Sequence, residues 1–310
     1  MGKKPEILVT PNNVEAVERL IKAGADAVLI GEQRFGLRLA GEFNREDIKK
    51  VNEITKAQGV KVYVAMNAIF HNEHLGDVSD YMKFLKEIDV DAIVFGDPAL
   101  LMIARDVAPN MKLHWNPETI ATNWYTANYW GRQGAKRAVL AREINMDAIV
   151  ETKENAEVEI EVQVHGMTNM FQSKRSLVGN YFEYQGKNLS IEKTDKERQM
   201  FLFDKERNAK YPIYEDQNGT HIMSPKDICI IDELEEMIDA EVDSFKIDGI
   251  LKSTEYMEKV TQLYHEAIHL YLTDEDAYAE KKEEFVEKIR EIQPKNRDID
   301  TGFFFKETVY

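Results

Sequence analysis

The sequence predicts an α/β protein: a (β/α)8 TIM-type barrel with a long insertion between strands 7 and 8 and a short C-terminal helical extension. Three observations lead there. Short Val/Ile-rich runs recur eight times, segments of helical spacing alternate with the first six, and the spacing breaks only once.

The runs are Ile7–Thr10, Ala27–Gly31, Lys61–Met66, Ala92–Gly96, Lys112–Trp115, Arg137–Ala141, Val158–Val164 and Ser244–Ile247. They hardly alternate, as expected of strands buried on both faces. Between them lie helical stripes such as Val14, Val17, Leu20 and Ile21, then Ile48, Val51 and Ile54. Eight units in 310 residues favour a closed barrel over a doubly wound open sheet, which is the alternative. A weak internal repeat agrees: AGADAVLI, IDVDAIVF and AEVDSFKI each join a helix end, an Asp and a strand.

The break lies between Gly166 and Asp243, where 76 residues stand in place of a plain βα unit. Within it, residues 167–226 are rich in Asn, Lys, Gln and Tyr, with turn signals at Gln185-Gly186-Lys187-Asn188 and Asp216-Gln217-Asn218-Gly219. We read 1–273 as the barrel, interrupted by 167–226 as an insertion with hairpin content at the C-terminal mouth. Residues 274–310 read as a helix and an apolar tail, Gly302-Phe303-Phe304-Phe305, that packs back on the barrel.

Composition narrows the function. At 43% hydrophobic and 31% charged the chain is globular, and its net charge of −16 argues against general nucleic-acid binding while leaving room for a local basic site. No apolar run nears the roughly 20 residues of a membrane span, no signal peptide is evident, and the single cysteine suits a reducing compartment, so a cytoplasmic location without membrane contact is expected. The local basic site is found in the insertion: from His165 to Lys210, nine Lys/Arg face six Asp/Glu, interleaved with Phe171, Tyr181, Phe182, Tyr184, Phe201 and Phe203. Such surfaces stack bases and hold phosphates.

Strand ends converge on one mouth in a barrel. Here they carry Glu32 with Arg34, Asn67, Asp97, His114 with Asn116, Arg142 with Glu143, His165, and Lys246 with Asp248. Fixed cations beside carboxylates suit an anionic small molecule, with a carboxylate or His for proton transfer. Two metal-like patterns are set aside. His265-Glu266-Ala267-Ile268-His269 has zinc-peptidase spacing but falls on the helix after the last strand, outside the barrel; His71 and His74 read as a solvated loop pair. No metal is expected. Cys229, flanked by apolar residues, reads as an inert buried thiol.

Several segments together resemble peptidase family U32, the collagenase-like group, from Ile7 to about Phe305. They are Ala23-Gly24-Ala25-Asp26-Ala27, Arg34-Phe35, Lys61-Val62-Tyr63-Val64, Asp97-Pro98, Leu140-Ala141-Arg142-Glu143, Val164-His165-Gly166, Ser173 with Arg175, Asn180-Tyr181, Ser244-Phe245-Lys246-Ile247 and Thr301-Gly302-Phe303. The resemblance implies a barrel with an inserted subdomain. It also implies, in cluster-binding members, four cysteines around an iron–sulfur centre. Here Asn169 and Ser176 stand at two of those positions and a third falls near Lys193, so only Cys229 is kept and no bound cofactor is expected.

The cluster-less form is similar to the shorter member of a bacterial pair linked to prephenate-dependent 5-hydroxylation of the tRNA wobble uridine. That resemblance implies tRNA as partner, prephenate as a co-substrate, and a longer paralogous subunit. Glu143, His165 and Asp248 are then the candidates for proton transfer. Arg34, Asn67, His114, Arg142, Arg175, Asn180 and Lys246 are the candidates for holding substrate. The alternatives are a collagenase-like peptidase and a non-catalytic partner of a cluster-bearing paralogue.

Overall fold

The computed structural model describes residues 2–187 and 200–307; the basic positions Lys193, Lys196 and Arg198 lie outside them. Along the first half, strand and helix alternate: β1 (Glu6–Val9), α1 (Val14–Lys22), β2 (Ala27–Ile30), α2 (Arg45–Gln58), β3 (Lys61–Met66) and α3 (Leu75–Glu87). Then follow β4 (Ala92–Phe95), α4 (Pro98–Val107), β5 (Leu113–Trp115), α5 (Trp124–Gln133), β6 (Ala135–Val139), α6 (Met146–Asn155) and β7 (Glu159–Gly166).

Side-chain oxygens define where five of these six helices begin, α3 being the exception. Asn13, Asp97, Asn123 and Asn145 each accept a backbone N–H in the first turn, and Asn44 forms a reciprocal box with Asp47. Gly59 and Gly134 end α2 and α5 at φ of 69° and 114°, the left-handed region that glycine enters at no steric cost.

The chain next leaves the barrel for β8 (Asn169–Ser173), α7 (Leu177–Tyr184), β9 (Met200–Asp204), β10 (Ala209–Asp216) and β11 (Gly219–Met223). These strands form a separate antiparallel sheet in the order β8-β11-β10-β9, with the predicted turn at 216–219 joining β10 to β11. It returns through β12 (Asp227–Cys229), α8 (Glu235–Asp239) and β13 (Ser244–Ile247), and ends with α9 (Thr254–Thr273), α10 (Glu275–Ile292) and β14 (Ile299–Asp300).

Strands β1 to β7 pair in sequence order, all parallel, and β13 pairs with both β7 and β1, closing a barrel of eight. All eight predicted runs fall on these strands. One feature is additional: β12 runs antiparallel to β7 and carries β14 on its other side. Among the described residues no helix is long and apolar enough to cross a membrane.

Alternation along each strand divides the core. Outward residues such as Val9, Val28, Val64, Phe95, Trp115 and Val162 join the helices in one large apolar cluster. Inward, Leu8, Ala27, Leu29, Tyr63, Ala65, Ala92 and Val94 fill the middle of the barrel. The floor, at the strand N-termini, is ionic. Arg137, 2% exposed, reaches Glu6 at 2.7 Å, Glu159 at 2.8 Å and Glu161 at 3.2 Å, while Tyr63 Oη donates to Glu6 at 2.7 Å. Burial alone would push the Glu6 carboxyl up, but Arg137 and Lys61 hold its pKa down at about 2. A closed ionic floor leaves the opposite end as the mouth.

Candidate functional site

The mouth gathers a polar cavity whose charged and amide groups come from five strand ends and the insertion. Asn67 follows β3, Asn116 and Glu118 follow β5, Arg142 follows β6, and Lys246 and Asp248 sit on and after β13. Arg38 enters from the loop after β2, and Met167, Asn169 and Met223 close the cavity from the insertion side. The free interior is about 30 Å³, room for a water or two.

Charge pairs fill that interior. Glu118 lies between two guanidiniums, with Oε2 at 2.8 Å from Arg142 Nη1 and Oε1 at 2.6 Å from Arg38 Nη2. Arg142 Nε also donates to Gln163 Oε1 at 2.9 Å, and Arg38 Nη1 donates to Gln172 Oε1 of β8 at 2.7 Å. Lys246 Nζ meets Asp248 Oδ2 at 2.8 Å. Asn67 Oδ1 accepts from Leu37 N at 2.9 Å, which fixes the loop that carries Arg38. Burial disfavours the Glu118 carboxylate, yet Arg142 and Arg38 together pull its pKa well below the ordinary carboxylate range. Burial likewise works against Asp248, and Lys246 more than offsets it, so its pKa is lowered. Burial opposes the Arg142 charge, and Glu118 raises its pKa above the usual value. The mouth thus sets Arg38, Arg142 and Lys246 against the carboxylates of Glu118 and Asp248, and the two planar guanidiniums have the fork geometry that suits a carboxylate.

Backbone strain marks the same place. Arg38 and Glu118 adopt φ of 51° and 68°, left-handed conformations that side chains other than glycine rarely take.

Of the residues read from the sequence, Asn67, Arg142, Lys246 and Asp248 meet in this cavity, with Asn116. The others do not. His165 is fully buried on the outer side of β7, where its Nε2 sits 2.7 Å from Tyr256 Oη and burial pushes its pKa down to about 3. The β13–β7 register shifts between Lys246 and Ile247, so Gln163 faces inward and His165 faces α9. His114 points inward one layer too deep. It packs edge-on against Tyr63 with ring centroids 4.6 Å apart, and burial keeps its pKa well below the usual value.

Arg34 is exposed and paired with Asp77 of α3. Glu143 is exposed beside the mouth, and Arg175 and Asn180 are exposed on the insertion. Asp97 caps α4, accepting from Ala99 N at 2.9 Å. Sequence reasoning missed Arg38, Glu118 and Gln163. The first two lie in loops beyond the strand ends, where no periodicity marks them; Gln163 could have been found from its inward parity on β7.

The peptidase-like patterns lie elsewhere. His265 and His269 are on α9, bordering an open groove against α10, and the His265 ring covers Gly24. Among the described residues no group of three His, Cys, Asp or Glu is placed to hold a metal ion. Cys229 is buried, and burial pushes its thiol pKa up to about 12.

Comparison with known proteins sets this barrel in context. Over 308 residues the chain is 67% identical to tRNA hydroxylation protein P2 of Bacillus subtilis, covering 99% of this chain and 100% of that protein. It is 33% identical to tRNA hydroxylation protein P1 of the same organism, covering 97% of this chain and 71% of that one. A solved U32 peptidase superposes with a TM-score of 0.51 at 12% identity, covering 80% of this chain and 94% of that one, which shows the shared fold alone. The sequence profile of peptidase family U32 matches residues 12–309, and with a full-length relative at two-thirds identity the chain belongs to that family.

Proposed function

We propose that the protein acts in tRNA hydroxylation at the wobble uridine, taking a small anion in the barrel mouth while RNA approaches over the insertion. The carrying observation is the cation excess of Arg38, Arg142 and Lys246 over Glu118 and Asp248, in a molecule whose net charge is −16. Exposed Tyr181, Tyr184, Phe201 and Phe203 lie on the insertion with Lys174, Arg175, Lys205, Arg207 and Lys210, a stacking and phosphate-binding surface. The full-length likeness to a protein named for tRNA hydroxylation supports the same reading.

Prephenate, a dicarboxylate, is the proposed small anion, with Arg142 and Lys246 among its donors. One cysteine cannot supply the several thiolates of an iron–sulfur cluster, so the proposal assigns no cluster to this chain's own side chains. It places the protein in the cytoplasm with tRNA, as an enzyme or as one subunit beside a longer paralogue. Proteolysis is disfavoured by a thiol held neutral, and by a His-Glu-x-x-His helix outside the barrel with no third ligand among the described residues.

The test is nucleoside mass spectrometry of bulk tRNA after deletion of the gene. Loss of wobble 5-hydroxyuridine derivatives, restored by the gene in trans, supports the proposal. Unchanged levels in every paralogue background would remove it.

A further inference from the structure

The inner face of the mouth presents an anion seat that is already filled by the protein itself. We propose that Glu118 is a built-in stand-in for a ligand carboxylate: it occupies the seat between Arg38 and Arg142, and a small dicarboxylate displaces it to bind. The proposal rests on the reading that the mouth takes a small anion, and it adds how the site opens and why it selects two charges.

Charge and volume point the same way. With Glu118 seated, three cations face two carboxylates, and the free interior of about 30 Å³ is too small for a dicarboxylate. With Glu118 swung out, three cations face Asp248 alone, and the surplus of two positive charges matches a dicarboxylate. Room is gained in the same step.

The two carboxylates are not equivalent. Asp248 follows the last residue of β13, accepts from Ile250 N at 3.0 Å, and is paired with Lys246 on the same strand, so it belongs to the wall. Glu118 sits in a turn from Asn116, whose Oδ1 accepts from Glu118 N at 3.1 Å, to Ala121, whose carbonyl accepts from Ala141 N at 3.0 Å. Between these anchors Thr119 is exposed and Ile120 is 62% exposed, so the turn can move without unpacking the barrel.

The seat also fits Glu118 imperfectly. The Arg38 Nη2 lies 2.6 Å from Glu118 but has no acceptor in hydrogen-bonding geometry among the described residues, and both residues hold left-handed backbone. Across the cavity, Asn169 Oδ1 is buried with no donor among the described residues. An incoming ligand with a carboxylate and a hydroxyl would satisfy both groups.

Calorimetric titration of the full-length protein with prephenate, and with phenylpyruvate as a monocarboxylate probe, tests this. If Glu118 competes for the seat, Glu118→Gln binds prephenate about tenfold more tightly or better, because the competing state no longer dilutes the competent one. Phenylpyruvate gains less, and Arg142→Met abolishes prephenate binding. In the wild type, saturating prephenate lowers amide protection in residues 116–121, a readout that stands even if the Gln variant folds poorly. Prephenate binding that needs Arg142 but is weakened or unchanged by Glu118→Gln, or unchanged protection at 116–121, overturns the stand-in role and leaves the anion site intact. Absence of prephenate binding to both the wild type and Glu118→Gln would overturn the anion site as well.

Discussion

Asp227→Asn removes a buried carboxylate on which three side chains of the C-terminal segment, Lys252, Gln293 and Arg297, converge. Asp227 is fully buried on β12 and accepts from Arg297 Nε at 2.8 Å, from Gln293 Nε2 at 2.5 Å, and from Lys252. Burial pushes its carboxyl up, but Lys252 and Arg297 more than offset that and bring the pKa down to about 2. Two cations share one anion, so Lys252 is the loser: burial lowers its pKa even beside Asp227, and Arg297 adds to the effect. The amide would leave both cations buried without a counter-ion, a loss of about 3–5 kcal/mol. At roughly 2.1 cal/mol/K per residue, 310 residues give an unfolding entropy of about 0.65 kcal/mol/K, so Tm should fall by about 5–8 °C.

The pH dependence follows from the sign of the shift. A carboxyl lowered from 3.8 to about 2 contributes stability that is present above pH 3.8 and lost as pH falls through 2, roughly 2 kcal/mol in all. Scanning calorimetry of both proteins between pH 7 and pH 2 should show the gap narrowing by about that amount at the acid end. A fall in Tm of under 2 °C at pH 7, or a gap that stays constant into acid, would refute the reasoning.

Other outcomes follow from the placement of individual side chains. Changing His165 to Gln breaks the 2.7 Å contact with Tyr256 in a sealed layer, so stability should drop by about 1–3 kcal/mol while tRNA hydroxylation per folded molecule holds; a tenfold loss of activity in well-folded protein would return His165 to the site. Ellman's reagent should leave native Cys229 unlabelled over minutes and label it fully in guanidinium, and prompt native reaction would contradict its buried, neutral state. Alanine at both His265 and His269 should leave hydroxylation unchanged, because these imidazoles flank an outer groove between α9 and α10. Chelator-sensitive activity lost in the double variant would reinstate a metal role.

The strands were legible because a strand buried on both faces must be apolar at successive positions, as Ala27–Ile30 and Ala92–Phe95 are. Depth and direction at the strand ends were not. His114 and Asn116 share inward parity on and just after β5, yet one residue pair of rise separates a packed imidazole from a cavity wall. The register shift beside Ile247 turns His165 outward, and nothing in the local sequence announces such a shift. Arg34 and Asp97 lie at strand ends but are consumed by α3 and α4, as an ion-pair partner and a helix cap. Arg38 and Glu118 became visible only in three dimensions, since their pairing joins loops 80 residues apart and depends on left-handed backbone at both.

The central claim is that cations at the barrel mouth sustain hydroxylation of tRNA, and complementation with Arg142→Met tests it most directly. In a strain whose wobble 5-hydroxyuridine depends on this gene, the account predicts that the variant accumulates as folded protein and leaves the nucleoside absent from digested tRNA. Restoration to the level given by the native gene would contradict it.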